Sequence, residues 1–361
     1  MRPHLAVSMA TLALAVVPGA AAAQEWRAFT PEEFAQRASE AEAAPLFKSQ
    51  EPLVLTLRAD ISWLRDERSD EEQTEGSVVL PQPDGTEVVV PVKVRTRGIF
   101  RRDKRNCNFP PLRLNFPKKQ VKGTVFESQD KVKLVTPCRD NNDTYQQYVL
   151  QEYLVYRVAE LLTPASFRVR LVRITYEDPD GGYDPRTKLA FLIEDDEQMA
   201  ARNRAQVMDW EQFHPARMDP EHAVLESLFQ YMIGNTDYSA PFFHNSTLVR
   251  TEDARYLPVP YDFDFSGVVN ARYATPDPSL EIRSVRERIY RGFCRPSVDF
   301  GKLVALFNEK RDAIRALYEG MPDLEEKQRS RVLEYYDDFY EIINDPTKLD
   351  RRVIRACRDF S

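Results

Sequence analysis

The segment of residues 234–267 constrains the fold of this chain more than any other part of its sequence. Asp237 and Asn245 lie in a loop after an apolar helical pattern, and Asp262 and Asp264 follow a pattern that predicts a β-hairpin. Phosphoryl transfer requires a carboxylate that orients the acceptor hydroxyl, together with an Asn and an Asp that hold Mg²⁺ on the phosphates. Each motif alone is also typical of a turn or a strand end, but their order around one hairpin favours a nucleotide site.

The composition argues against a nucleic-acid-binding role. The 361 residues include 50 Lys and Arg and 57 Asp and Glu, which gives a formal net charge of −7, whereas phosphate backbones require clustered positive charge. With 42% hydrophobic and 30% charged residues, the chain has the composition of a folded protein with one large domain or two lobes. One segment, residues 95–122, is locally basic, which suits a small anionic ligand better than a polymer.

The N-terminus has the features of a secretory signal peptide. Met-Arg-Pro-His is followed by an apolar run at 5–17 and by three alanines at 21–23 that match a cleavage site before Gln24. The apolar run is too short to span a bilayer, and no later run approaches about 20 apolar residues. We therefore predict a signal peptide at 1–23, cleavage near Ala23, export to the periplasm or the extracellular space, and no transmembrane segment in the mature chain. A retained membrane anchor is the alternative.

Export changes the interpretation of the four cysteines. In an oxidising compartment, Cys107, Cys138, Cys294 and Cys357 are expected to form two disulfides, for which three pairings are possible. Pairing Cys107 with Cys138 and Cys294 with Cys357 keeps each bridge within one half of the chain. We predict the first of these bridges because both of its cysteines lie next to predicted strands. No cluster of Cys and His indicates a zinc site.

Alternating and β-branched residues predict an antiparallel sheet in the first half of the chain. A helical lead-in is predicted at 24–50, where Thr-Pro-Glu-Glu at 30–33 is a helix-start signal. About five strands are predicted, at 53–57, 77–80, 87–94, 112–116 and 131–136. A helix follows from Asp143 to about Leu162, and two further strands are predicted at 167–176 and 188–194.

Glu152 is unusual because it shares an apolar stripe of the predicted helix with residues such as Tyr148 and Val155. A charged carboxylate in that position is unfavourable unless a cation meets it. Lys133 and Arg113 are the candidates, and we predict an ion pair between Glu152 and Lys133. The alternative is that Glu152 reaches solvent from the edge of the stripe.

The second half of the chain is predicted to be mainly helical. Asp219 and Pro220 begin an apolar helix that ends at Gly234, and residues 247–249 and 256–259 form the hairpin before Asp262. Three amphipathic helices follow, at 298–317, 324–343 and 348–359. The predicted fold class is therefore α+β with two lobes, an antiparallel sheet lobe at 51–195 and a mainly helical lobe at 196–361.

Three groups of residues carry a family resemblance. They are Arg-Gly at 97–98 with Phe-Pro-Pro-Leu-Arg-Leu at 109–114, Lys-Leu-Val at 133–135 with Arg-Asp at 139–140, and Pro-Tyr-Asp-Phe-Asp at 260–264. Through these motifs the chain resembles the secreted atypical kinases of the spore-coat CotH type over residues 95–267. The Gly-Asn-Thr-Asp loop at 234–237 is also similar to the catalytic loop of HipA-type Ser/Thr kinases.

The resemblance implies a two-lobed protein-kinase-like fold that uses ATP with Mg²⁺ or Mn²⁺. It implies that Asp237 is the catalytic carboxylate, that Asn245 binds the metal and that Asp262 is the principal metal ligand. Asp264 would be a second ligand, or would itself be the equivalent of the metal-binding Asp, since Asp-Phe-Ser-Gly at 264–267 is similar to a DFG turn. The interval between Asp237 and Asn245 is longer than is typical of such loops.

The chain departs from this family at the phosphate-binding position. The related proteins often have Phe-Pro-Lys-Lys where this chain has Phe-Pro-Pro-Leu at 109–112, so their phosphate-binding Lys has no direct counterpart. Arg113, Lys133 or the cluster around Arg97 and Arg101 would have to replace it. Arg binds phosphate as a rigid fork, so this exchange is not neutral. Glu152 would hold such a cation in place, as a Glu does in kinases.

We therefore expect an exported ATP-dependent kinase that phosphorylates a protein or a small hydroxylated molecule. A second interpretation, favoured by the scarcity of ATP outside bacterial cells, is a catalytically inactive kinase-like protein that binds a ligand or partner at the cell envelope. A third is a hydrolase that uses Asp237, Asp262 and Asp264 as a metal cluster, although such enzymes normally have more His or Glu ligands. The basic cluster distinguishes these sites, because a nucleotide site needs it and a bare hydrolase cluster does not.

Overall fold

Seven strands of this chain form a closed barrel. The computed structural model describes residues 27–360, so the predicted signal peptide at 1–23 lies outside the described residues. The strands of the barrel are β1 (Leu53–Ala59), β2 (Thr74–Pro81), β3 (Glu87–Thr96), β4 (Leu112–Asn115), β5 (Lys131–Val135), β6 (Val169–Glu177) and β7 (Arg186–Ile193).

The barrel closes through one parallel pair of strands. Around the barrel the order is β1-β2-β3-β4-β5-β7-β6, and the neighbouring strands are antiparallel except where β6 meets β1. There the two strands run in the same direction, with Leu53 opposite Val172. Closure gives every strand of the barrel a partner on both sides, so the barrel has no free sheet edge.

The predicted two-lobed kinase-like fold, with an antiparallel sheet lobe and a mainly helical second lobe, is therefore wrong. The five strands predicted before residue 137 are present, but β6 and β7 join them and close the sheet into a mixed barrel. The physical reason is that an alternating pattern predicts a strand and its buried face but does not identify the strand that pairs with it. Nothing local indicates that β1 pairs with the distant β6.

Alternation along the strands places apolar side chains inside the barrel and polar ones outside. In β3, Val90, Val92 and Val94 are buried, whereas Lys93 between them is exposed. Fully burying a side chain of this kind contributes about 1.5–3 kcal/mol relative to leaving it exposed. The inward side chains of the other strands complete this core, so residues at alternate positions point away from it.

Three helices precede the last two strands of the barrel. They are α1 (Pro31–Ala43), α2 (Ile61–Asp66) and α3 (Thr144–Leu162). The predicted start of α1 is confirmed, because the Thr30 hydroxyl accepts from the Glu33 amide and the Glu33 carboxylate accepts from the Thr30 amide. The predicted helix after Asp143 is confirmed as α3.

The central helix α3 is buried on almost every side. Its predicted stripe is buried, but so are residues on its other faces such as Val149 and Leu154. A helix that is enclosed all round lies within the core rather than on its surface. Glu152 is therefore inside the protein, with 2% of its surface exposed, and the alternative that it reaches solvent does not apply.

A second, smaller sheet lies beyond the barrel. After the short helix α4 (Asp196–Arg202), its strands are β8 (Ala205–Val207), β9 (Ser246–Thr251) and β10 (Tyr256–Pro260), in the order β10-β9-β8. The hairpin predicted before Asp262 is thus confirmed as β9 and β10, with Val259 opposite Thr247.

The remaining helices are α5 (Pro220–Ile233), α6 (Phe300–Glu319), α7 (Glu326–Asn344) and α8 (Pro346–Leu349), and a π-helical turn at Asp350–Ile354 follows. The predicted ends of α5 are confirmed, since the Asp219 carboxylate caps its start and Gly234 ends it in the left-handed conformation with φ of 65°. A Cβ atom on Gly234 would collide with the Tyr335 hydroxyl, so this position needs glycine for two reasons.

Two disulfides join Cys107 to Cys138 and Cys294 to Cys357. The predicted bridge between Cys107 and Cys138 is confirmed. Disulfides of this kind are consistent with a secreted protein. Within residues 27–360, no helix has both the length and the apolar character needed to cross a membrane.

Candidate functional site

The end of α5 presents Asp237 in a loop whose backbone is held by its own side chains. After Gly234, the Asn235 side chain accepts a hydrogen bond from the Asp237 amide at 3.0 Å. The Asn245 Nδ2 group donates to the Asp237 carbonyl at 2.8 Å and to its carboxylate Oδ2 at 3.2 Å. The structure therefore brings Asp237 and Asn245 together despite the long interval between them.

The segment between these two residues folds back on itself. Ser239 and His244 exchange two backbone hydrogen bonds of 2.9 and 3.1 Å, and this small bridge brings the His244 ring to Asp237. His244 Nε2 lies 2.9 Å from Asp237 Oδ1. His244 is not among the residues predicted from the sequence, because its contact with Asp237 depends on a local fold-back and matches no sequence motif.

Asp262 lies beside the same loop, directly after β10. The Tyr261 amide donates to the Asn245 carbonyl at 3.0 Å, and the Asp262 amide donates to the Tyr156 hydroxyl at 2.8 Å. The second bond ties the segment that follows β10 to α3. Asp262 has a left-handed backbone with φ of 62°, a conformation that Asp tolerates better than most residues.

Behind Asp262, two carboxyl groups are buried close to one guanidinium group. Asp264 and Glu152 are 4% and 2% exposed, and Arg101 Nη1 lies 3.8 Å from Asp264 Oδ2. The Tyr273 hydroxyl donates to the same oxygen at 3.0 Å. Burial raises the pKa of Asp264 to about 7, with a further contribution from the charge of Asp262.

Glu152 has no ion-pair partner among residues 27–360, and its Oε1 atom has no hydrogen-bond partner there either. Burial raises the pKa of Glu152 well above its ordinary value, and the charges of Asp264 and Asp262 raise it further. Burial without an ion-pair partner therefore favours the protonated form of Glu152.

The predicted ion pair between Lys133 and Glu152 is wrong. Lys133 Nζ lies 2.9 Å from Asp196 Oδ2, and its ammonium group also lies 5.0 Å from the centre of the Tyr261 ring. Because Lys133 faces away from the barrel core, it reaches the start of α4 rather than the interior where Glu152 lies. Nothing in the sequence connects Lys133 with Asp196.

Three cations stand in a row on the outer face of the barrel. In the strand register, Arg95 of β3 lies opposite Arg113 of β4, and Arg113 lies opposite Lys133 of β5. We call Arg95, Arg113 and Lys133 the cation row. Like charges in directly opposed positions destabilise a sheet, so this arrangement is unfavourable unless an anion lies over it.

The cation row lines a pocket of about 460 Å³ between the barrel and the second sheet. Its other charged residues are Arg97, Asp70 and Asp196, and its far wall includes Val207, Thr247 and Tyr261. We call this space the cationic pocket. Four cations and two carboxylates line it, which leaves an excess of two positive charges.

The carboxylates of the cationic pocket do not neutralise its arginines. Asp196 pairs with Lys133, and Asp70 pairs with Arg102 outside the lining. Among the described residues, Arg97 and Arg113 have no carboxylate in ion-pair contact, and the buried Arg113 Nε atom has no hydrogen-bond partner. Burial lowers the pKa of Arg113, and the charges of Arg95 and Arg97 lower it further.

The predicted phosphate-binding residues are thus divided between two places. Arg97, Arg113 and Lys133 line the cationic pocket, whereas Arg101 is buried beside Asp264. Arg95 was missed, because strand register decides that it adjoins Arg113 and register cannot be read from one strand.

The predicted metal ligands do not form a preformed metal site among the described residues. Among residues 27–360, no group of three or more His, Cys, Asp or Glu side chains is arranged to hold a metal ion. Proteins often bind Mg²⁺ through only one or two side chains plus phosphate oxygens. Asp262 and Asn245, whose Oδ1 atom has no hydrogen-bond partner among residues 27–360, have side-chain oxygens for that role, while Asp264 is buried.

In comparisons with family models, curated proteins and solved structures, no match to this chain was found. The comparisons therefore identify no family, and the resemblance to CotH-type kinases stays an expectation from short motifs.

Proposed function

We propose that this chain is an exported phosphotransferase that uses ATP with Mg²⁺ or Mn²⁺ to phosphorylate a hydroxyl group of a protein or a small molecule. The observation that carries the proposal is the cation row in a pocket that Tyr261, the residue before Asp262, also lines. The proposal rests on the site and not on a kinase fold. Export to the periplasm or the extracellular space after cleavage near Ala23 is part of the same proposal.

The cationic pocket supports binding of a polyphosphate. Arginine guanidinium groups bind phosphate oxygens through paired, charge-assisted hydrogen bonds. Arg97 and Arg113 lack carboxylate partners among the described residues, so their charges are available to a ligand. The Tyr261 ring and Val207 supply an apolar wall of the kind that a nucleoside needs.

The proposal requires the carboxylates to reach this pocket through Tyr261, since Asp237, Asn245 and Asp262 are not among the residues that line it. Tyr261 lines the pocket and Asp262 follows it in the chain, next to Asn245 and Asp237. The oxygen of the acceptor hydroxyl would form a bond to the γ-phosphorus while the bond between the γ-phosphorus and ADP breaks. Asp237 would accept the proton that this hydroxyl loses. A divalent cation held at Asp262 and Asn245 would neutralise phosphate charge when bound.

The second candidate function is a catalytically inactive ligand-binding protein of the cell envelope. One observation favours it specifically. Both carboxylate oxygens of Asp237 already have partners, His244 at 2.9 Å and Asn245 at 3.2 Å. A carboxylate engaged in this way is less available to an acceptor hydroxyl than a free one.

Calorimetric titration of ATP separates these functions. We expect the mature protein to bind ATP more tightly with Mg²⁺ than without it, and Arg113→Gln to weaken binding tenfold or more. Lys93→Gln, which removes an exposed cation from the same barrel, is the matched control and should change affinity less than twofold. Asp262→Asn should abolish the gain from Mg²⁺.

Three outcomes decide between the readings. Absence of ATP binding by the wild-type protein would refute the phosphotransferase and leave only the binding of some other ligand. Binding without transfer of labelled γ-phosphate to the protein itself, to a casein mixture or to glycerol would support the inactive ligand-binding protein. Binding with transfer that Asp237→Asn abolishes would support the phosphotransferase.

A further inference from the structure

The C-terminal end of the chain forms a small clasp closed by a disulfide. Residues 291–295 and 357–360, which we call the C-terminal clasp, run side by side and are linked by the bridge between Cys294 and Cys357. The Cys294 amide donates to the Arg358 carbonyl, and the Arg358 amide donates to the Gly292 carbonyl, both at 2.9 Å. The rings of Phe293 and Phe360 stack at 5.5 Å.

The C-terminal clasp reaches the loop that carries Asp237. Arg291 Nη1 donates a hydrogen bond to the carbonyl oxygen of Thr236, the residue immediately before Asp237. The Arg291 guanidinium group also lies 5.5 Å from the centre of the Tyr238 ring, immediately after Asp237. One side chain of the clasp therefore contacts both neighbours of the candidate catalytic carboxylate.

The second strand of the clasp is held by the disulfide, by two backbone hydrogen bonds and by ring contacts of Phe360 and Arg358. Residues 354–356 and 358–360 are exposed, and the contacts of Phe360 are with aromatic rings and with the Arg295 guanidinium group. Two backbone hydrogen bonds between short segments, of which only the second is exposed, do not form a stable pair by themselves. The bridge is the covalent link that holds this strand beside the segment that carries Arg291.

The two disulfides differ in their access to a reductant. Cys107 and Cys138 are 0% and 2% exposed and lie in the core. Cys294 and Cys357 are only half-buried. Thiol–disulfide exchange requires a thiolate to approach one sulfur atom directly, so the bridge of the clasp is open to exchange under conditions that leave the other bridge intact.

We propose that the bridge between Cys294 and Cys357 is a redox-sensitive device that positions the Asp237 loop. A dithiol reduces the bridge in two exchange steps, in which the S–S bond breaks, Cys294 and Cys357 each gain a proton and an electron, and the dithiol becomes a disulfide. The clasp then opens and Arg291 leaves the Thr236 carbonyl. Oxidation by a disulfide donor reverses these changes.

The consequence for phosphoryl transfer rests on the proposed function, but the change in the loop does not. Before export, in a reducing compartment, the loop lacks its Arg291 contact and Asp237 is poorly positioned. After export, formation of the bridge completes the site. The cation row belongs to the barrel, and within residues 27–360 no hydrogen bond or ion pair joins it to the clasp, so ATP binding should be nearly independent of the bridge.

Hydrogen exchange measured by mass spectrometry tests the device without any ligand. After mild treatment with dithiothreitol under native conditions, alkylation should label Cys294 and Cys357 but not Cys107 or Cys138. Amide exchange at residues 235–245 should become at least tenfold faster, while exchange in the barrel strands stays unchanged. Unchanged exchange at 235–245 would overturn the proposal, and so would equal acceleration in the barrel.

Variants at Arg291 provide the second readout. In the oxidised protein, Arg291→Gln should reproduce the faster exchange at 235–245, and Arg291→Lys should restore much of the protection. Arg355→Gln is the matched control, since this exposed Arg pairs with Asp350 and does not contact the Asp237 loop, and it should change nothing. Equal effects of the variants at 291 and 355 would contradict the proposal.

Activity then separates this inference from the proposed function. If the oxidised protein transfers phosphate, reduction should lower kcat at least tenfold and change the affinity for ATP less than threefold. If the oxidised protein transfers no phosphate, the proposed function fails while the exchange result still decides whether the device exists.

Discussion

The Lys133 ammonium group lies 2.9 Å from the Asp196 carboxylate, which commits the last cation of the row to the start of α4. Glu152 is left inside the protein without an ion-pair partner among residues 27–360, and burial raises its pKa well above the ordinary value. The cation row thus lies on the outer face of the barrel, while the carboxyl groups of Glu152 and Asp264 are buried inside the protein.

We expect Glu152→Gln to leave the free energy of unfolding at pH 7 unchanged within about 1 kcal/mol or to raise it, because Gln has the shape of a protonated Glu. The folded-state pKa of Glu152 lies above its unfolded value of about 4.3. The folded protein therefore binds more protons, and the contribution of Glu152 to stability is present below about pH 4 and lost as pH rises.

Urea denaturation between pH 5 and 8 measures this difference. The wild type should lose stability with rising pH more steeply than Glu152→Gln, and Glu75→Gln on the exposed face of β2 serves as the control. A loss of about 3–5 kcal/mol at pH 7 would instead indicate a broken buried ion pair.

Tyr156→Phe should destabilise the fold and displace Asp262. The substitution removes the acceptor of the Asp262 amide, whose hydrogen bond to the Tyr156 hydroxyl is 2.8 Å long. Leaving such a group unsatisfied costs about 1–3 kcal/mol, measurable by chemical denaturation. Tyr318→Phe, which removes a 2.8 Å hydrogen bond to Tyr336 among the helices, should lower stability without changing ATP affinity. If both variants bind ATP in the same way, Tyr156 does not position Asp262.

Arg113→Gln should keep or raise the stability of the ligand-free protein by up to about 1 kcal/mol. The variant removes the middle charge of the cation row, which faces Arg95 on one side and Lys133 on the other. Thermal denaturation should also show that inorganic phosphate raises the Tm of the wild type more than that of the variant. Equal shifts in both proteins, and in Lys93→Gln, would mean that phosphate acts elsewhere.

Replacing Cys107 and Cys138 together by Ala should lower the free energy of unfolding by about 3–4 kcal/mol in the chain-entropy model. The bridge closes a separation of 31 residues within the core. Denaturant titration with the bridge between Cys294 and Cys357 intact measures the effect. A change below about 1 kcal/mol would show that the reduced chain already holds these segments together.

Local signals in the sequence predicted much of the fold. Pro220 and Gly234 mark the ends of α5, and the β9–β10 hairpin follows from alternation between turn residues. These features depend on residues a few positions apart, so the sequence records them directly. Asp237 meets Asn245 because the loop between them folds back on itself.

Long-range relationships could not be predicted in this way. Closure of the barrel depends on which strand lies beside β1, and the partner of Lys133 is decided by where α4 begins. The burial of Glu152 follows from helices that pack on every side of α3, whereas a helical stripe reports only one face. Each of these depends on segments that are distant in the chain.

The parallel pair of β1 and β6 has a consequence for how the chain is made. Leu53 meets Val172, 119 positions later, so a chain that is synthesised or translocated from its N-terminus presents β1 long before its second partner arrives. Contacts between such distant segments form slowly. Any fragment that ends before Val169 carries β1 with one unpaired edge, which makes nascent and truncated chains prone to edge-to-edge aggregation.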